Sequence, residues 1–148
     1  MPIKNYTTRI PSFQSLAEIQ GMLAQHGANK IMLEYDKQGK AIGVAFAVDS
    51  GGFQNSFYLT ADIDGVLAAF KRQRVRADKE QAERTAWRNI RDWIAAQMAF
   101  IECGNAKVEE LFFPYLTDGK TTLYKAYSSG LLQLPEYATI STTESAET

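Results

Sequence analysis

His26 is the only histidine of this 148-residue chain and Cys103 its only cysteine. A Cys-His nucleophile requires the two in contact, because the imidazole takes the thiol proton. Nothing local joins them. His26 falls beside Gly27 at a helix end, where it partners the helix dipole, and Cys103 closes a long helix, where a core or interface thiol is the simpler reading. A zinc site would need carboxylates to complete it, at a spacing that forms no motif. Mg²⁺-dependent nucleases need two or three carboxylates converging on a point, and Glu34, Asp36, Asp49, Asp62 and Asp64 are the acids available. Each is also explained singly by a turn or a helix cap. Gly51-Gly52 lacks the spacing and the Lys-Ser/Thr of a phosphate loop. No catalytic residue, metal ligand or cofactor is assigned on these patterns.

Charge is the more informative chemistry. The chain carries 16 Lys+Arg against 17 Asp+Glu, a net of -1. Between Lys71 and Arg91, however, eight basic residues face three acids, a local +5 that the rest of the chain offsets with -6. Glu80, Arg84, Arg88 and Asp92 follow one another at four-residue steps, so they can pair along one helical face. Lys71, Arg72, Arg74 and Arg76 have no such partners, and Arg91 is the fifth candidate for contact with phosphates or another anion. A solvated or protein-binding face is the competing reading.

The elements that position these residues follow from hydrophobic period. Leu16, Ile19, Met22 and Leu23 make one helical face over Ser15 to His26, with Gly27 as its stop. Ile31, Leu33 and Tyr35 alternate as a strand. Next, Ile42, Val44, Phe46 and Val48 alternate with Ala41, Gly43, Ala45 and Ala47, a strand with one bulky and one small face. The small face predicts close approach by a helix or backbone, or a surface open to a partner. Phe53, Phe57 and Leu59 form a third strand, and the three make an antiparallel meander. Asp62 caps a helix with the stripe Ile63, Val66, Leu67 and Phe70. A longer helix begins at Asp78, with Gln81 as capping-box partner, and runs to about Cys103. Trp87, Ile90, Ile94, Met98 and Ile101 line its core face. Trp93 and Phe100 widen that face and offer a homodimer seam. Val108 to Leu116 is a helical segment limited by Pro114, and Leu123, Tyr124 and Tyr127 begin a last short helix.

The order α-β-β-β-α-α-α-α predicts an α+β fold: helices on a three-stranded antiparallel meander, a long central helix, and short C-terminal helices. One domain over residues 1–140 is expected, followed by a disordered tail, 141–148. The opening α-β-β-β-α is also the order of a double-stranded-RNA-binding domain. Such domains place basic residues at the N-terminus of the last helix, whereas here that end reads Ala61-Asp62-Ile63-Asp64 and the cations lie at the other end. The departure argues against that binding mode.

With 45% hydrophobic and 22% charged residues, composition excludes a disordered or collagen-like chain, and a lone cysteine excludes an internal disulfide. No apolar run is long enough to span a bilayer, and MPIKNYTTRI has no secretory h-region. The expectation is a cytoplasmic protein without membrane association.

AWRNIRDWIAAQMAFIE (Ala86 to Glu102), LFFPYLTDGKTTLYK (Leu111 to Lys125), the opening MPIKNYTT and LAEIQGMLAQHGA together resemble a group of small accessory proteins of tailed phages and prophages. The resemblance implies a role in DNA metabolism or host takeover inside a bacterial cell, and it supplies no site residues. The leading expectation is a non-enzymatic accessory protein that binds nucleic acid or a host or phage DNA-processing protein. A counter-defence protein that blocks an immune nuclease or sequesters its nucleotide signal is the second; Tyr58, Tyr115, Tyr124 and Tyr127 would supply stacking there, although their spacing favours core packing. A small Mg²⁺-dependent nuclease, dependent on Asp62, is the third.

Overall fold

Alternation and helical period are realised in the order expected. The structure, a computed structural model, describes residues 1–136; the expected tail at 141–148 lies outside them. Helix α1 (Ser12–Gln25) leads into strands β1 (Ala28–Tyr35), β2 (Ala41–Ser50) and β3 (Phe53–Thr60), then helices α2 (Ile63–Arg72) and α3 (Lys79–Glu102). Short helices α4 (Val108–Leu111) and α5 (Leu123–Ser128) follow, separated by a 3-10 turn at Phe113–Tyr115 that has Pro114 in its first turn. The fold is α+β, with a three-stranded antiparallel sheet in the order β1-β2-β3.

The two faces of β2 have different fates. Val44, Phe46 and Val48 are buried, and Phe46 stands opposite Ile31 on β1 and Phe57 on β3. Leu16, Ile19 and Leu23 of α1, Phe70 of α2, and Trp87, Ile94 and Met98 of α3 join them in one core cluster. Burying each large side chain contributes about 1.5–3 kcal/mol. Trp87 is fully buried and its indole Nε1–H donates to the Ala41 carbonyl at 3.0 Å, which fixes α3 across the end of β2. Phe112 packs edge-on against Phe46 with ring centroids 5.2 Å apart. On the other face the Tyr58 ring lies over Gly43, where an added Cβ would come within 2.8 Å of ring carbons, and its hydroxyl donates to Glu34. Burial pushes the Tyr58 phenol up, and the Glu34 carboxylate adds to that shift.

The N-terminal residues form a strap along the first half of α3, which hydrophobic period could not show. The Asn5 amide donates to Asn89 and Asp92, both at 2.9 Å; the Thr85 hydroxyl donates to the Asn5 carbonyl. The Gln81 amide donates to the carbonyls of Tyr6 and Thr8 at 3.0 and 2.9 Å. The expected capping box is therefore half formed. Asp78 accepts from the Gln81 N–H, while the Gln81 side chain holds the strap.

Candidate nucleic-acid interface

Helix α2 ends in a Schellman motif: the Val75 N–H reaches the Phe70 carbonyl at 2.8 Å and the Arg74 N–H that of Lys71 at 3.3 Å. Such an end needs a left-handed residue, normally glycine. Here it is Arg74, at φ 59°. A side chain in that conformation costs about 1 kcal/mol relative to glycine.

Arg74 and Arg76 line a cavity of about 780 Å³ at the junction of α2 and α3. Two further arginines complete it: Arg9 from the strap and Arg84 from the second turn of α3. Tyr6 forms part of its rim, and Asp78 is the one carboxylate in its wall. Among the described residues, Arg9, Arg74 and Arg76 make no ion pair. Arg84 does not pair with Glu80 as its spacing predicts; it donates to the Gln81 side-chain oxygen Oε1 through Nε at 3.2 Å and through Nη2. Asp78 is occupied as the cap of α3. The wall thus presents four guanidinium groups against one engaged carboxylate, an arrangement suited to phosphate oxygens, which guanidinium forks match bidentately.

Lys71 and Arg72 are exposed in the last turn of α2, next in sequence to this wall but outside it, and they too make no ion pair among the described residues. Arg91 does not join the group. Its Nε donates to Glu18 of α1 at 2.7 Å and its Nη1 to Asp92 at 3.2 Å. Arg88 likewise meets Glu18 at 3.2 Å. A hydrogen bond from Gln14, opposed by burial and reinforced by Arg91 and Arg88, holds the Glu18 carboxyl below its ordinary value. Burial raises the Asp92 carboxyl, but hydrogen bonds from Lys4, Asn5 and Arg91 outweigh it and bring its pKa to about 2. Arg9, Tyr6 and Arg84 are the lining residues that charge counting over Lys71 to Arg91 missed or assigned elsewhere. For Arg9 and Tyr6, separated from that segment by the whole sheet, the sequence holds no spacing signal.

A second cavity, of about 690 Å³, opens at the acidic end of α2. Tyr58, Tyr115 and Tyr124 line it, with Asp36, Asp62 and Asp64 balanced by Lys40, Lys79 and Lys125. Tyr124 is 60% exposed, and Tyr127, its neighbour at 6.3 Å between ring centroids, is 49% exposed. The core role expected for these two from helical spacing is corrected: α5 is too short and too peripheral to bury them. Asp62 caps α2 through the Gly65 N–H at 2.9 Å, and Asp36 accepts from the Gln38 and Lys40 N–H groups. Asp49 lies apart, with Asn29 and Gln54. Among the described residues no three His, Cys, Asp or Glu side chains are grouped to hold a metal ion.

The remaining reactive groups have structural partners or none. His26 caps α1, with Nδ1 2.7 Å from the Met22 carbonyl and Nε2 2.9 Å from Glu102. Cys103 is exposed rather than buried in the core. Trp93 meets Phe112 and Tyr115 edge-on, so the C-terminal segment occupies part of that flank of α3, but Trp93 stays 36% exposed and Phe100 half exposed. No helix among the described residues is long and apolar enough to cross a membrane.

No known protein family, curated protein or solved structure matches this chain.

Proposed function

We propose that the protein is a non-enzymatic nucleic-acid-binding protein whose phosphate site is the cavity at the α2–α3 junction. One observation carries this reading: four arginines from three separate segments converge on a concave wall, and among the described residues none of the four makes an ion pair. The conformation of Arg74 supports it. A position that would be more stable with glycine holds a cation instead, as expected where stability is given up for a site. The resemblance to phage and prophage accessory proteins favours DNA metabolism as the setting.

The reading is tested by titrating fluorescent single- and double-stranded DNA and RNA at about 50 and 200 mM salt, where each released counterion steepens the salt dependence. Binding at low salt that falls steeply with salt is expected. The triple change Arg72→Ala, Arg74→Ala and Arg76→Ala should weaken it at least tenfold, with unfolding unaffected. No binding to any polyanion at low salt, or binding indifferent to the triple change, overturns the proposal.

A further inference from the structure

A hollow of about 340 Å³ shares Arg9 and Arg84 with the arginine cavity and Lys40 with the tyrosine cavity. The three therefore adjoin around the N-terminal turns of α3. Charge declines along this path. The arginine end carries four cations against one acid, the hollow offsets Arg9, Arg84 and Lys40 with Glu80 and Glu83, and the tyrosine end balances three lysines with three aspartates. Lys40 is drawn toward Glu83 of the hollow at 3.7 Å, and Lys79 toward Asp64 at 3.8 Å. A cationic groove that leads to an aromatic surface of no net charge is the combination that holds unpaired nucleotides: phosphates follow the cations and bases stack on the rings.

We infer that the ligand is a single strand of nucleic acid, its phosphates held by Arg9, Arg74, Arg76 and Arg84 and one unpaired base lodged in the cavity of Tyr58, Tyr115 and Tyr124. This rests on the phosphate-site reading above and goes beyond it by specifying strandedness and a base pocket. A duplex keeps its bases stacked inside and has none to offer the tyrosines. A free nucleotide offers one, but each of the two end cavities is by itself the size of a small-molecule site, so a ligand that engages both is longer than one nucleotide. Asp36 lines the base pocket, and its second carboxylate oxygen accepts no hydrogen bond among the described residues, which suits it to exocyclic amino or ribose hydroxyl groups. Tyr115 is held by Trp93, with ring centroids 5.7 Å apart, and Tyr58 by Glu34; Tyr124 is the ring exposed enough to close on a base.

The test compares an oligonucleotide of about 12 nucleotides, its duplex and a mononucleotide at one low salt concentration. The single strand should bind at least tenfold more tightly than the duplex. Tyr124→Ala should weaken single-strand binding roughly tenfold, Tyr124→Phe should restore it, and neither should alter duplex binding. Stacking is read independently in the unaltered protein by quenching of 2-aminopurine placed along the strand. Equal affinity for strand and duplex overturns the inference, as does indifference to Tyr124→Ala with no quenching. If the Arg74 and Arg76 substitutions still abolish binding in those cases, the phosphate site stands. A mononucleotide that binds as tightly as the strand also overturns the inference, in favour of a small nucleotide ligand. Absence of binding by all three removes both readings.

Discussion

Arg88 and Arg91 lie on the same helix as Arg84 and within twenty residues of Arg74 and Arg76, yet the two groups have opposite surroundings. Arg88 and Arg91 are partly buried against α1, where Glu18 accepts from both, and Asp92 is shared with Lys4 and Asn5 of the strap. Arg74, Arg76 and Arg9 line a hollow whose one carboxylate, Asp78, caps α3 and makes no ion pair with them. Identical side chains thus hold the molecule together in one place and leave it with uncompensated charge in another. What separates them is the position of Glu18, brought beside α3 by the packing of α1.

The largest effect that probes this contrast is expected from Glu18→Ala. It leaves two partly buried guanidinium groups with Asp92 alone and should cost about 2 kcal/mol in urea unfolding, with little change in affinity for polyanions. Wild-type stability in this variant would erase the distinction between the two groups. Acid should act on the same network. Because the Asp92 carboxyl sits at about 2 in the folded protein, below its ordinary value near 4, the unfolded chain binds its proton first as pH falls. The contribution is complete above about pH 5 and is lost toward pH 2, amounting to about 1–2 kcal/mol. In Asp92→Asn, urea midpoints should vary less over that range; an unchanged pH profile would show that the carboxylate is not held by Lys4 and Asn5. The smallest and most discriminating effect is expected from Arg74→Gly. Removing the left-handed side chain should raise stability by about 0.5–1 kcal/mol while weakening polyanion binding several-fold. A variant that gains stability and keeps full affinity would mean that Arg74 is not part of the site.

The elements themselves were plain in the residues. The caps Asp62 and Asp78 and the stripes of α2 and α3 place those helices to within a residue or two, since local hydrogen bonds and period act over short spans. The small face of β2 was legible as small, but its occupant was not: Tyr58 crosses Gly43 from the adjacent strand, a contact that depends on register. The basic run at Lys71 to Arg76 was visible by counting. Its division from Arg91 was not, because Glu18 is 73 residues away in sequence. Arg9 and Tyr6 were hidden for the same reason, and the tyrosine cavity is assembled from β3, the 3-10 turn and α5, which no single window contains.

The strap has a kinetic consequence. Residues Ile3 to Thr8 are tied to the rest of the chain through side chains of Gln73, Gln81, Thr85, Asn89 and Asp92, with no backbone ladder among the described residues. Such a segment can lift away by a local fluctuation that leaves the sheet intact, so its amides should exchange with solvent far sooner than those of β2. When it lifts, Tyr6 and Arg9 leave with it and the arginine wall is broken. A ligand seated on that wall would oppose the opening in proportion to its saturation, and the exchange rate of the strap would then register occupancy of a site formed mainly by residues 73–84, some seventy positions along the chain.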